Sequence, residues 1–200
     1  MPKDHATPAR LEAFSDGVIA VIITIMVLDL KVPAANGLAG FLQIVPTMAI
    51  YLLSFTFVGI YWINHHHLVH RTDQADQRTL YSNLLFLFFL SLLPFFTNYV
   101  LEKHIDAFSV GLYVISMIFT AASFLLLRLS IGCHLREIGS IEEQDTAAEL
   151  KHFTSLILYS VALALSHYYP KLALSVVALV SILWITPTAA KPLHHPATDN

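Results

Sequence analysis

Two groups of residues in this 200-residue chain have the types and spacing to do chemistry. The first is the run His65-His66-His67-x-x-His70. His66 and His70 stand four apart, the spacing of a helical ligand pair for zinc or iron. No second cluster inside the apolar segments answers it, since His104 is expected on the far side and His194-His195 falls in the C-terminal tail. The simpler expectation is a solvated helix end, where histidine also suits the negative end of the helix dipole. No metal or cofactor is therefore assigned. The second group is the polar front of an apolar run, with Arg10, Glu12, Ser15 and Asp16 ahead of a stretch from Gly17 to Leu28 that is apolar except for Thr24. A carboxylate near the end of a membrane-spanning segment is costly unless it has a partner or reaches water, so Asp16 marks a site. Asp29 stands at the other end of the same segment, where a ring of such carboxylates would concentrate cations, though snorkelling to the interface explains a single Asp equally well. No Ser/His/Asp triad, phosphate loop or nucleotide motif is present, and the chain does not read as an enzyme.

The elements that must hold these residues are membrane helices. Hydrophobic residues make up 56% of the chain and charged residues 12%, about half the charged share of a soluble domain. The net charge of −3 gives no reason to propose nucleic acid, and the single Cys133 cannot form an intramolecular disulfide. The segment 8–30 opens with Thr7 as N-cap and Pro8 in the first turn, and would span about 34 Å as a helix. Lys3 and Arg10 with Val32-Pro33-Ala34-Ala35 faintly resemble a signal peptide and cleavage site. Asp4, Glu12, Asp16, Asp29 and Lys31 argue against one, so an uncleaved first helix is expected.

Further spans are expected at about 40–63, 79–101, 107–129, 152–169 and 172–186. Pro46 falls within the first two turns of the second, and Pro94 should bend the third. The stretch 65–78 is expected as a loop or helix extension outside the bilayer, and 131–151, with five acids and two bases, as the longest polar connection. This gives an all-α polytopic protein with a single six-helix unit over 1–186 and a disordered cytoplasmic tail over 187–200. Counting Lys and Arg puts eight on the side of the N-terminus (Lys3, Arg10, Arg71, Arg78, Arg128, Arg136, Lys151, Lys191) and three on the other (Lys31, Lys103, Lys171). That asymmetry, with an even number of spans, predicts both termini in the cytoplasm for a multi-pass protein that is expected in the cell (inner) membrane.

The motif Arg10-x-x-x-Phe14-Ser15-Asp16-Gly17, at the start of a first membrane helix ending in Val27-Leu28-Asp29-Leu30, resembles the signature of the transmembrane protein 175 family. Length and expected helix number also resemble the prokaryotic members that carry one six-helix unit per chain. The resemblance implies a potassium-permeable cation channel, with potassium ions and the lipid bilayer as partners, and a homo-oligomer, a tetramer in this family. It further implies that first helices surround a central pore whose constriction is made by bulky aliphatic rings. By position these are Val21, Ile25 and Leu28, with Thr24 adding a hydroxyl ring.

A helical wheel puts Phe14, Gly17, Val21, Thr24, Ile25 and Leu28 on one side, and Asp16, Ala20, Ile23, Val27 and Leu30 on the other. The helix is apolar nearly all round, so the wheel alone does not choose a pore face. With the face taken from the resemblance, Asp16 turns away from the pore and needs a donor on a neighbouring helix. Trp62, Asn64 and His65 to His67 are the candidates at the same level. The resemblance implies a supporting network of Arg10, Phe14, Ser15 and Asp16 with Trp62, Asn64 and His66. Two other readings of the whole chain are an integral-membrane metalloenzyme using the histidine cluster and a six-helix secondary transporter. The absence of charges at mid-membrane weakens the latter.

Overall fold

A computed structural model describes residues 7–72, 75–103, 105–137 and 143–185. Seven helices follow one another: α1 (Pro8–Ile25), α2 (Gly37–Val69), α3 (Gln77–Ser91), α4 (Leu93–Lys103), α5 (Ala107–Glu137), α6 (Glu143–Ser166) and α7 (Pro170–Ile185). Among the described residues there is no strand. α3 and α4 are the two halves of one span, Gln77–Lys103, so six rods result. Five are long and apolar enough to cross a membrane; α7 is apolar but shorter, with 16 residues. The tail 187–200 lies outside the described residues.

The helix boundaries follow local chemistry. Thr7 caps α1 through its backbone carbonyl, which accepts from Arg10 N at 2.9 Å, while its hydroxyl makes no capping bond. The α-helix ends at Ile25, short of the expected Leu30, and a 3₁₀ turn takes Met26–Asp29. Such a tightened last turn satisfies carbonyls that an α-helix would leave orphaned. Gly37 opens α2 with φ +68°, a conformation that suits glycine. A Cβ at Gly40 would lie 1.8 Å from the carbonyl oxygen of Ala35, so the connection can fold back only over a glycine. Since α2 starts at Gly37, Pro46 sits deeper than expected, in the interior of an unbroken helix. The 65–78 stretch splits: α2 runs through all four histidines of the cluster except His70, its C-cap.

The interruption at Leu92 lies two residues before Pro94, whose missing N–H cannot serve the Leu90 carbonyl. The N–H of Leu92 bonds there instead. Asp76 begins α3 by accepting from Thr79 N at 2.8 Å, and Asp106 begins α5 by accepting from Phe108 N and Ser109 N at 2.8 and 2.9 Å. α5 and α6 run well into the segment expected as a polar connection, to Glu137 and from Glu143. Beyond the apolar slab a helix needs only water on its polar faces, and the Arg136–Glu149 ion pair (3.6 Å) clips the two extensions together.

α5 is the central rod, packed against α3, α4, α6 and α7. The core around it is aromatic. Tyr61 meets Phe124 edge-on at 5.1 Å between ring centres, and Phe86 meets Phe124 at 5.0 Å. A buried hydroxyl relay ties α2, α4 and α5, with Thr97 Oγ1 donating to Ser54 Oγ (2.9 Å), which lies 2.8 Å from Tyr113 OH. α1 is peripheral, resting on α2 and α3.

Candidate pore helix and its polar anchor

Because α1 is held from one side only, its faces separate cleanly. Leu11, Ser15, Ile19, Ile22 and Met26 are buried, a stripe with steps of four, four, three and four residues. On the outer arc Val21, Ile25 and Leu28 are 54%, 46% and 78% exposed, with Phe14, Gly17 and Thr24 beside them. The two-sided wheel differs from this in one respect. Ala20 and Val27, set against the proposed pore face by the wheel, are exposed as well. The core takes a third face, which an all-apolar helix does not reveal by its composition. Leu28 stands within the 3₁₀ turn rather than in the α-helix.

Two hydrogen-bonded groups fix the inner and lateral faces. The first is buried. Asn83 of α3 donates through Nδ2 to Ser15 Oγ (3.0 Å), and Ser15 Oγ donates to Leu11 O (2.8 Å). The Asn83 carbonyl oxygen faces His65 Nε2 at 2.8 Å, which makes Nε2 the protonated ring nitrogen of His65. The His65 ring also lies stacked near Phe86, 5.9 Å between centres. The second group is lateral. Trp62 Nε1 donates to Asp16 Oδ1 (2.9 Å), and one turn closer to the N-terminus Glu12 Oε1 meets His66 Nδ1 (2.6 Å), with His70 Nδ1 3.5 Å from Glu12 Oε2. At the other end of α1, Lys31 pairs with Glu102 of α4.

Of the residues expected around the signature, the structure therefore brings Ser15, Asp16, Trp62 and His66 into contact with neighbouring helices. Asn64 does not join them, because its amide donates back to Ile60 O of its own helix at 2.7 Å. Arg10 and Phe14 lie on the exposed arc, and Arg10 pairs with none of the described acids. Sequence reasoning noted Glu12 without its partners and missed Asn83. Glu12 carried a usable signal, since it precedes Asp16 by four residues and so shares its face, opposite a histidine pair with the same spacing. Asn83 is a buried amide in an otherwise apolar span, the kind of residue that membrane interiors place only where it is bonded. Thr24 turns its hydroxyl inward, 2.9 Å from Ala20 O and 3.0 Å from Val21 O, leaving its oxygen lone pairs outward.

Comparison with known proteins bears on the family and the fold. Residues 10–94 match the family model described as endosomal/lysosomal potassium channel TMEM175. A potassium channel of Chryseobacterium sp. (strain P1-3) is 40% identical over 182 residues, covering 90% of this chain and 94% of that one. A potassium channel of Streptomyces collinus is 33% identical over 140 residues, 66% of each chain. The crystal structure of a lysosomal potassium-selective channel TMEM175 homolog from Chamaesiphon minutus superposes with a TM-score of 0.78 at 27% identity, over 88% of this chain and 95% of that chain. With a relative of that identity along nearly its whole length and a shared all-helical fold, the chain belongs to the TMEM175 family, as a multi-pass membrane protein.

Proposed function

We propose that this chain is one subunit of a potassium-permeable channel, in which the α1 helices of several copies, four by family resemblance, enclose the conduit. The observation that carries the reading is the division of α1. One face is locked to the protomer through Ser15 and Asn83, while the opposite face offers Val21, Ile25 and Leu28 outward with no protein over them. One outward-facing helix cannot close a pore, so the arrangement calls for further copies of the same helix about an axis. Aliphatic rings give a cation no ligand. They gate by dewetting, and they favour the ion that sheds its hydration more readily, potassium over sodium. Thr24 adds outward oxygen lone pairs to an otherwise apolar arc.

The bacterial relatives named as potassium channels support potassium as the permeant ion, whereas vertebrate relatives that match less than half of this chain are named proton channels, and none of these names an enzyme. Those names give no support to the metalloenzyme or the transporter reading. The Lys/Arg asymmetry supports the cell membrane with both termini cytoplasmic. Lys31 and Glu102, in contact, place the α1–α2 and α4–α5 connections at one end of the protomer, as that topology requires.

Purified protein in liposomes loaded with potassium provides the test. The expected result is passive potassium flux with resolvable unitary conductance, exceeding sodium flux. Flux that requires a counter-ion gradient and shows no unitary events would establish a transporter instead.

A further inference from the structure

We propose that Glu12, His66 and His70 form a binding site for a divalent first-row transition metal of the zinc class, bridging the start of α1 to the end of α2. The site rests on these side chains alone and holds whether or not α1 lines a pore.

The three residues converge. One ligand atom from each lies within 4.8 Å of the other two. His66 and His70 occupy successive turns of α2, and both present Nδ1 to the same carboxylate, each to a different oxygen. Their rings are 4.4 Å apart and inclined at 63°, so the two imidazoles are angled towards a shared point rather than stacked face to face. The donor set is two nitrogens and a carboxylate. This is the set that zinc accepts with a water as fourth ligand. Hard cations such as calcium and magnesium would take oxygen ligands only. Exposure fits the open fourth position, because the Glu12 side chain is 15% exposed while that of His70 is 60% exposed.

Ligand nitrogens and oxygens about a tetrahedral zinc stand roughly 3.3 Å apart, as follows from bond lengths near 2.0–2.1 Å. The His70–Glu12 spacing of 3.5 Å already suits that geometry, and the His66–Glu12 pair at 2.6 Å must open by less than an ångström. On binding, the direct His66–Glu12 hydrogen bond is replaced by two bonds to the metal; Nδ1 of His66 gives up its proton, and the ring stays neutral with its one proton on Nε2. Asp16 and Trp62 lie one turn deeper on the same two helices and already hold them in register. The metal would thus close the open end of a contact that the Asp16–Trp62 bond begins.

The test is zinc titration of the purified full-length protein, freed of metal with a chelator. We expect one zinc per chain at this site, a rise in melting temperature on adding zinc, and, with cobalt(II) as a spectroscopic probe, the visible absorption of four-coordinate cobalt. His70→Ala and Glu12→Gln should each weaken zinc binding by at least ~10-fold, since losing a direct ligand costs no less than losing a group that merely orients one. His70 is exposed, so its replacement leaves folding intact. The His194→Ala/His195→Ala variant controls for the tail pair and should bind as the wild type does. Zinc affinity and cobalt spectrum unchanged in His70→Ala and Glu12→Gln, or lost only in the tail variant, would reduce the triad to a plain hydrogen-bonded pair and overturn the proposal.

Discussion

Trp62 Nε1 lies 2.9 Å from Asp16 Oδ1, so an indole of α2 answers the one carboxylate that enters the apolar part of α1. The indole can only donate and the ionised carboxylate can only accept, so the pair has one polarity and one geometry. It bears on the flank of α1, between the buried stripe and the exposed arc. That placement is the reason to expect Asp16 to act on the orientation of the helix rather than on an ion in transit. Asp16→Ala is expected to lower melting temperature and impair assembly before it changes ion preference. A hydrogen bond to a charged group contributes about 1.5–3 kcal/mol, and the partial exposure of the pair brings this towards ~1 kcal/mol. A Trp62→Phe/Asp16→Ala double-mutant cycle would measure the coupling. Normal assembly with altered selectivity alone would make Asp16 a pore residue.

Asn83 is expected to be the more sensitive position. It is fully buried and engages both His65 and Ser15 through opposite ends of its amide. Asn83→Leu would strand the buried Nε2–H of His65, at a cost of about 1–3 kcal/mol, and remove the donor to Ser15 Oγ, which keeps its own bond to Leu11 O. Thermal unfolding in detergent should show a large loss for Asn83→Leu and almost none for Ser91→Ala, whose exposed hydroxyl bonds only to Phe88 O of its own helix. Comparable stability of the two variants would mean that the buried relay does not hold α1 to α3.

How much of this was readable beforehand differs from residue to residue. The helical class and the order of the spans were, because runs of twenty apolar residues punctuated by Pro, Gly and charge have few other solutions. The partner of Asp16 was narrowed to a few residues by membrane depth, once the family resemblance had chosen the pore face of the first helix. The face of α1 that meets the protein was not, since Ile19 and Ile22, which are buried, and Val21 and Ile25, which are exposed, are chemically alike. A bilayer removes the contrast between polar outside and apolar inside on which the helical wheel depends. Helix ends were misjudged for a related reason. Hydropathy marks where the apolar slab stops, whereas α5 and α6 continue as helices into water, held by contacts such as Arg136–Glu149.

The Lys/Arg asymmetry predicts cytoplasmic termini, and the Lys31–Glu102 contact puts the α1–α2 and α4–α5 connections on one side, whichever side that is. Reporter fusions at Gly37 and His104 should report the outside, and fusions at Asp73 and Glu142 the cytoplasm. The reverse pattern would turn the histidine cluster and the signature to the outer face and remove the argument from positive charges.

The constriction is the prediction most exposed to test. On the exposed arc Val21 and Ile25 step along α1 and Leu28 follows in the 3₁₀ turn, with Thr24 between Val21 and Ile25. If these rings exclude water, an amide in their place should wet the pore. Val21→Asn and Ile25→Asn are then expected to raise potassium conductance and to lower discrimination against sodium, read as a shift of reversal potential under bi-ionic conditions. Thr24→Val should leave conductance of the same order but change the potassium-to-sodium ratio, because it removes the outward oxygen and keeps the shape. Cysteine scanning supplies the geometric check, once the exposed Cys133 has been replaced. Leu28→Cys should react with water-soluble thiol reagents and block current. Ile19→Cys and Ile22→Cys, facing the protomer core, should not react, while Ala20→Cys and Val27→Cys lie on exposed surface at the edge of the arc and report where neighbouring copies of α1 touch. Protection at Ala20 and Val27 with reaction at Leu28 is the pattern of helices packed side by side around water. Equal labelling of Ile22→Cys and Leu28→Cys, or unchanged currents in both asparagine variants, would mean that α1 does not line the conduit.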